Sequence, residues 1–193
     1  MVRSPLLPEQ IALLEKARSL HPDKPPPPWD TRIVVAGGGI IAAGWDSQEN
    51  VLLISFGGGI SLTEARTGKR LMRDRNTDHA LSWLSIADQT FTLPGSKTPI
   101  PVFGLYGGDG IYTSPDWWTI EFIYPWWPQE AVVLCEPGAK GTGSEHYFDQ
   151  RHLLDLSGIA PENLHGGFSR SGQHLMIFSS SGAVVFSRSA LSK

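Results

Sequence analysis

The chain has 193 residues, with 16 basic and 19 acidic side chains, a formal charge of −3, and a composition that is 40% hydrophobic and 18% charged. That length and balance support one domain with a substantial core and speak against a nucleic-acid backbone as partner. Cys135 is the single cysteine, which excludes an internal disulfide and fits a reducing, cytoplasmic compartment; its apolar neighbours predict a buried thiol. The opening Met-Val-Arg-Ser-Pro-Leu-Leu-Pro has too short an apolar run for a secretory leader, and no segment approaches the ~18 apolar residues of a membrane span.

Residues 8–20 read as a helix. Pro8 suits its first turn, Glu9 lies at the positive end of the dipole, and Lys16 and Arg18 lie at the negative end. Ile11 and Leu14, with Leu7 or Arg18, share one face, which predicts docking on the protein's own sheet. His21-Pro22 ends the helix, and four prolines at 25–28 form a stiff spacer. The domain boundary is therefore placed so that 1–28 is helix and linker and 29–193 is the main body.

From Arg32 onward, short apolar runs alternate with glycine. Segments 33–36, 40–45, 51–56, 60–64 and 69–73 read as successive strands, with turns at the two glycine triplets, 37–39 and 57–59. Neither triplet fits a dinucleotide loop, because the residues after each are strand-like rather than helix-forming, and no cofactor is expected. A charged connection at 73–78 leads to a strand at 81–86. Strands at 102–106 and 111–113 flank Gly107-Gly108-Asp109-Gly110, a hairpin turn in which Asp109 is expected to bond its own backbone.

Residues 117–127, Trp-Trp-Thr-Ile-Glu-Phe-Ile-Tyr-Pro-Trp-Trp, form an aromatic-rich strand. Alternation puts Trp118, Ile120, Phe122 and Tyr124 on one face and Trp117, Thr119, Glu121 and Ile123 on the other. Trp117, Trp118, Trp126 and Trp127 are many for one strand to bury, so they serve either the core or a partner surface. In the second case Asp109, Asp116, Glu121 and Glu130 would form an acidic rim for a basic partner. After a loop at 138–144, His146, Asp149 and His152 recur every third residue. They are the one metal-like cluster, opposed by the reading that they are polar surface residues. No Gly-x-Ser-x-Gly elbow supports serine chemistry.

Trp45-Asp-Ser-Gln-Glu-Asn-Val-Leu-Leu-Ile-Ser-Phe-Gly-Gly-Gly-Ile-Ser-Leu62 and Phe168-Ser-Arg-Ser-Gly-Gln-His-Leu-Met-Ile-Phe-Ser-Ser-Ser-Gly-Ala-Val-Val-Phe186 share one plan. Each has an aromatic, a polar turn, an apolar strand, a Gly/Ser turn and a second strand. Their separation fits three periods of roughly 41 residues, with Trp127 at the two-thirds register and Ile86 near the one-third register. The closing unit resembles a WD-repeat blade, and the first, with Thr67-Gly68-Lys69, resembles a quinoprotein-type blade. This implies an all-β domain of about four antiparallel meanders, propeller-like or alternatively a β-sandwich, with one N-terminal helix. The chain is also similar in style to bacterial immunity proteins that neutralise a toxin by direct binding. That similarity implies a non-catalytic, protein-binding role, with a basic toxin domain as partner and neither nucleic acid nor membrane. A metal-dependent hydrolase using His146, Asp149 and His152 is the alternative, as is a scaffold subunit whose helix swings out on the proline spacer.

Overall fold

The computed structural model describes residues 6–104, 108–140 and 146–189. In chain order the elements are α1 (Pro8–Ser19), β1 (Trp29–Ala36), β2 (Ile40–Trp45), β3 (Val51–Ser55), β4 (Gly59–Thr63) and β5 (Arg70–Asp74). Then come α2 (Thr77–Ser82), β6 (Leu84–Ser85), β7 (Thr90–Phe91), β8 (Ile100–Phe103), β9 (Thr119–Trp126) and β10 (Gln129–Cys135). The series closes with β11 (Arg151–Leu153), β12 (His165–Phe168), β13 (His174–Ser179) and β14 (Gly182–Arg188). All the ladders between these strands are antiparallel, and they build three open sheets, β1-β14-β13-β12, β11-β10-β9 and β5-β4-β3-β2-β8-β7-β6. The fold is all-β.

Four meanders can be traced, β2 to β5, β6 to β8, β9 to β11 and β12 to β14. Trp45 ends β2 and Phe168 ends β12, so the two aromatics that matched in sequence stand at the same place in their meanders. The fourth strand differs in origin. The first meander continues directly into β5, whereas the closing one is completed by β1, which pairs with β14 from Trp29↔Arg188 to Ala36↔Gly182.

The core is built from the apolar runs. Strands β3, β4 and β14 are buried along their whole length, the pattern of strands covered on both faces. One cluster joins Trp29, Trp118, Ile120, Phe168, Leu175 and Phe186 across two sheets, with Trp29 edge-on to Trp118 at 6.0 Å between ring centroids. Gly59 makes the β3–β4 turn at φ +73°, and a Cβ there would stand 2.1 Å from the Asp74 carbonyl, so only glycine lets β5 lie alongside.

Several expectations are corrected. The docked stripe of α1 is Leu13, Ala17 and Leu20, against Tyr147 and Phe148, and not Ile11, which is exposed. Both stripes satisfy helical spacing; the groove that receives them decides. Arg18 Nε donates to the Pro125 carbonyl at 2.7 Å, and Asp23 N to Leu153 O at 3.2 Å, so helix and spacer are tied to the body. A second helix, α2, occupies the start of the expected 81–86 strand because the Asn76 side chain caps it, accepting from Asp78 N at 3.0 Å. Residues 111–113 contribute a single bridge, Thr113↔Thr119, rather than a strand. Residues 105–107, in the expected 102–106 strand and its hairpin turn, and most of the 138–144 loop lie outside the described residues. No helix among the described residues is long and apolar enough to cross a membrane.

Candidate binding surface

The aromatic tract divides by location. Trp118 is 6% exposed and packs in the core, so it is not a surface residue. Trp126 is half-buried against the cluster of Ala131, Val133, Cys135 and Leu153. Trp117 and Trp127 are the exposed pair, at 72% and 71%, and they flank opposite ends of β9, roughly 30 Å apart by strand rise. Trp127 lies beside exposed Tyr124, with ring centroids 5.9 Å apart.

Trp117 is the more unusual of the two. Its φ is +71°, in the left-handed region that a bulky side chain occupies only at a cost of order 1–3 kcal/mol. The loop around it is fixed from several sides. Ser114 N donates to Trp118 O at 2.8 Å, Trp118 N donates to Ser114 Oγ at 2.9 Å, and Ser114 Oγ donates to Asp116 Oδ1 at 2.8 Å. Arg188, buried at the end of β14, grips Asp116 through two hydrogen bonds of 2.5 and 2.7 Å and lies over the Trp29 ring at 5.2 Å. The Arg188 guanidinium holds the Asp116 carboxyl below its ordinary range. A buried, charge-paired anchor thus holds an exposed tryptophan in an unfavourable backbone conformation.

The expected acidic rim does not form. Asp116 is bound by Arg188. Glu121 accepts from Arg151 Nη2 at 2.9 Å and from the Tyr147 hydroxyl. Burial pushes the Glu121 carboxyl up, but those two donors outweigh it and leave it low; burial and the same carboxylate push Tyr147 up to about 12. Glu130 accepts from Leu164 N at 2.6 Å. These three carboxylates are taken up by donors within the protein, and of the four only Asp109 is exposed.

Nor do the histidines converge. Residues 146–150 are turns, His146 Nδ1 meets Asp149 Oδ2 at 2.7 Å, and His152 on β11 meets Glu136 at 2.7 Å. Among the described residues no three His, Cys, Asp or Glu side chains are grouped to hold a metal ion. Cys135 is buried, and burial pushes its thiol up to about 11, as expected of an inert core cysteine.

Comparison with protein-family models, curated proteins and solved structures gives no match. The likeness to WD-repeat and quinoprotein blades therefore rests on the meanders alone.

Sequence reasoning missed one cavity and one latch. A cleft of about 620 Å³ has Trp45, Phe103 and Phe168 among its apolar walls and Glu49, Asp109 and Arg170 among its polar ones. The latch is Glu49, at φ +59° in the β2–β3 turn. Its carboxylate accepts from Ser169 Oγ, Ser171 N and Ser171 Oγ at 2.9, 2.7 and 2.6 Å, joining two sheets beside the cleft. Arg170 and Asp109 have no ion pair among the described residues. Gly172, in the same β12–β13 turn as Arg170, packs against Pro115, so this turn lies between the cleft and the Trp117 loop.

Proposed function

We propose that this chain is a non-catalytic protein-binding protein whose anchor is Trp117, with the neighbouring cleft as a socket for a partner side chain. The observation that carries the reading is Trp117 itself, most of its surface in water and its backbone held left-handed by the Ser114–Asp116–Arg188 clamp. Folding alone gives no reason to hold a large aromatic there, while tryptophan is the side chain most enriched at binding hot spots. Clustering of strained residues at ligand contacts gives the same direction. Charge complementarity for a basic partner loses its support, because Asp116, Glu121 and Glu130 are paired within the fold. The toxin-neutralising form of the reading, and a cytoplasmic setting, rest on chain size, make-up and the single cysteine.

The test uses the full chain as bait beside Trp117→Gly and Trp127→Ala. Gly relieves the φ strain, so the variant should fold at least as well as the native chain while losing its specific partner; Trp127→Ala should keep it. Equal retention of the same proteins by the native and Trp117→Gly chains would sink the proposal. For the toxin form, co-expression with the gene next to this one should rescue growth.

A further inference from the structure

Strand β5 is the outer strand of the seven-stranded sheet, and among the described residues β4 is its one strand neighbour. Around it the chain reads Lys69-Arg-Leu-Met-Arg-Asp-Arg75, four cations and one acid in a protein whose overall charge is −3. None of Lys69, Arg70, Arg73 and Arg75 has an ion pair among the described residues, and all four are exposed. Asp74 is taken up elsewhere, its Oδ2 lying 2.8 Å from His79 Nδ1 on α2, so it does not offset them. The guanidiniums are close enough to act on one another: burial, with repulsion from Arg70 and Arg75, pushes Arg73 down from its ordinary value. Leu71, 47% exposed, stands between the cations.

We infer that the open edge of β5 is a docking site for an acidic, extended peptide segment that adds to the sheet as a further strand. An edge offers backbone N–H and C=O groups in strand register, and a β-strand is the partner that matches them. Cations spaced along the strand meet carboxylates projecting from an added strand, and Leu71 gives an apolar side chain a contact. The same cations repel a second copy of β5, so the edge is protected from self-pairing and open to an acidic sequence. A nucleic acid or an anionic membrane would require a broad basic footprint, and here the run of four exposed cations is confined to β5 and the residue on either side of it, in a net acidic chain. The site is separate from the Trp117 surface and stands or falls independently of it.

The experiment measures fluorescence anisotropy of a labelled short peptide alternating Glu and Val, titrated with the full chain. Parallel arms use the Lys-Val peptide, an acidic peptide with central residues N-methylated, single-stranded DNA, and vesicles rich in phosphatidylserine. The inference expects the Glu-Val peptide to bind tightest, at least tenfold more tightly than the N-methylated form, and to weaken with added salt. Arg70→Gln with Arg73→Gln should weaken it at least tenfold with an unchanged unfolding midpoint, and Arg75→Gln, outside the strand, should weaken it severalfold. Trp117→Gly should bind it as the native chain does. Equal binding of the N-methylated peptide would reduce the site to plain charge attraction and overturn the inference. So would tighter binding of DNA or vesicles, no loss in the Gln variants, or loss in Trp117→Gly.

Discussion

Strands β1 and β5 occupy corresponding places, each lying outside a three-stranded meander that begins with an aromatic-ended strand. β1 is tied in. Its Trp29 is buried, its Asp30 holds Arg66 at 2.9 Å, its Arg32 reaches Asp155 O at 2.9 Å, and Gly158 packs beside Val34. β5 has half-exposed apolar side chains and cations with no ion pair among the described residues. A sheet edge can be kept from aggregating by covering it or by charging it, and this protein packs part of β1 under other segments and charges β5. The covered edge stabilises the fold; the charged one leaves a surface on which a partner can act.

The largest expected effect breaks the covered side. Trp29→Ala removes the ring between Trp118 and Phe168 and should cost about 3–5 kcal/mol in urea unfolding. Next, Asp116→Ala strands the buried Arg188 guanidinium, which is paired in register with Trp29, and should cost about 3 kcal/mol. Because the folded Asp116 carboxyl is held below its unfolded value, this contribution is complete above about pH 4 and is lost as pH falls through the folded value. Thermal melts of native and variant chains should therefore converge in acid; a constant gap would show that the pair does not titrate as described. A smaller effect comes from His174 on β13. Burial depresses its folded value, so its contribution is present above about pH 6.5 and declines below it, and His174→Asn should flatten the change in melting temperature from pH 7.5 to 5.5. Trp117→Gly should stabilise by about 1 kcal/mol through release of strain. Leu71→Ala on β5 should change stability by no more than about 0.5 kcal/mol. If it matched Trp29→Ala, the contrast between the two edges would disappear.

Much of this architecture can be read from residues. The 40–45, 51–56 and 60–64 runs, divided by a polar turn at 46–50 and a glycine turn at 57–59, fall on β2, β3 and β4 within a residue, because buried apolar strands and tight turns leave local marks. The match of Trp45 with Phe168 is a real correspondence of strand ends. What could not be read is non-local. Nothing near residue 29 says that its strand pairs with 188, and nothing near Asp116 says that an arginine at 188 will neutralise it. The site suffered for that reason: Trp118 and the acidic rim look like surface until their partners are known. The positive φ of Glu49 and Trp117 carries no sequence mark, since neither residue type favours it. The basic run at 69–75 was legible as charge density, but its meaning depends on β5 being an edge.

The pairing of β1 with β14 also sets an order of events during synthesis. The two strands lie about 150 residues apart in sequence, a contact of the kind that slows folding. The β2–β5 unit can form on the ribosome as soon as it emerges, whereas Trp29 and Val35 must wait, uncovered, until residue 188 has been made. Between the synthesis of Ala36 and that of Arg188 the nascent chain therefore presents Trp29, Ile33 and Val35 without their strand partner, a stretch on which a chaperone would act.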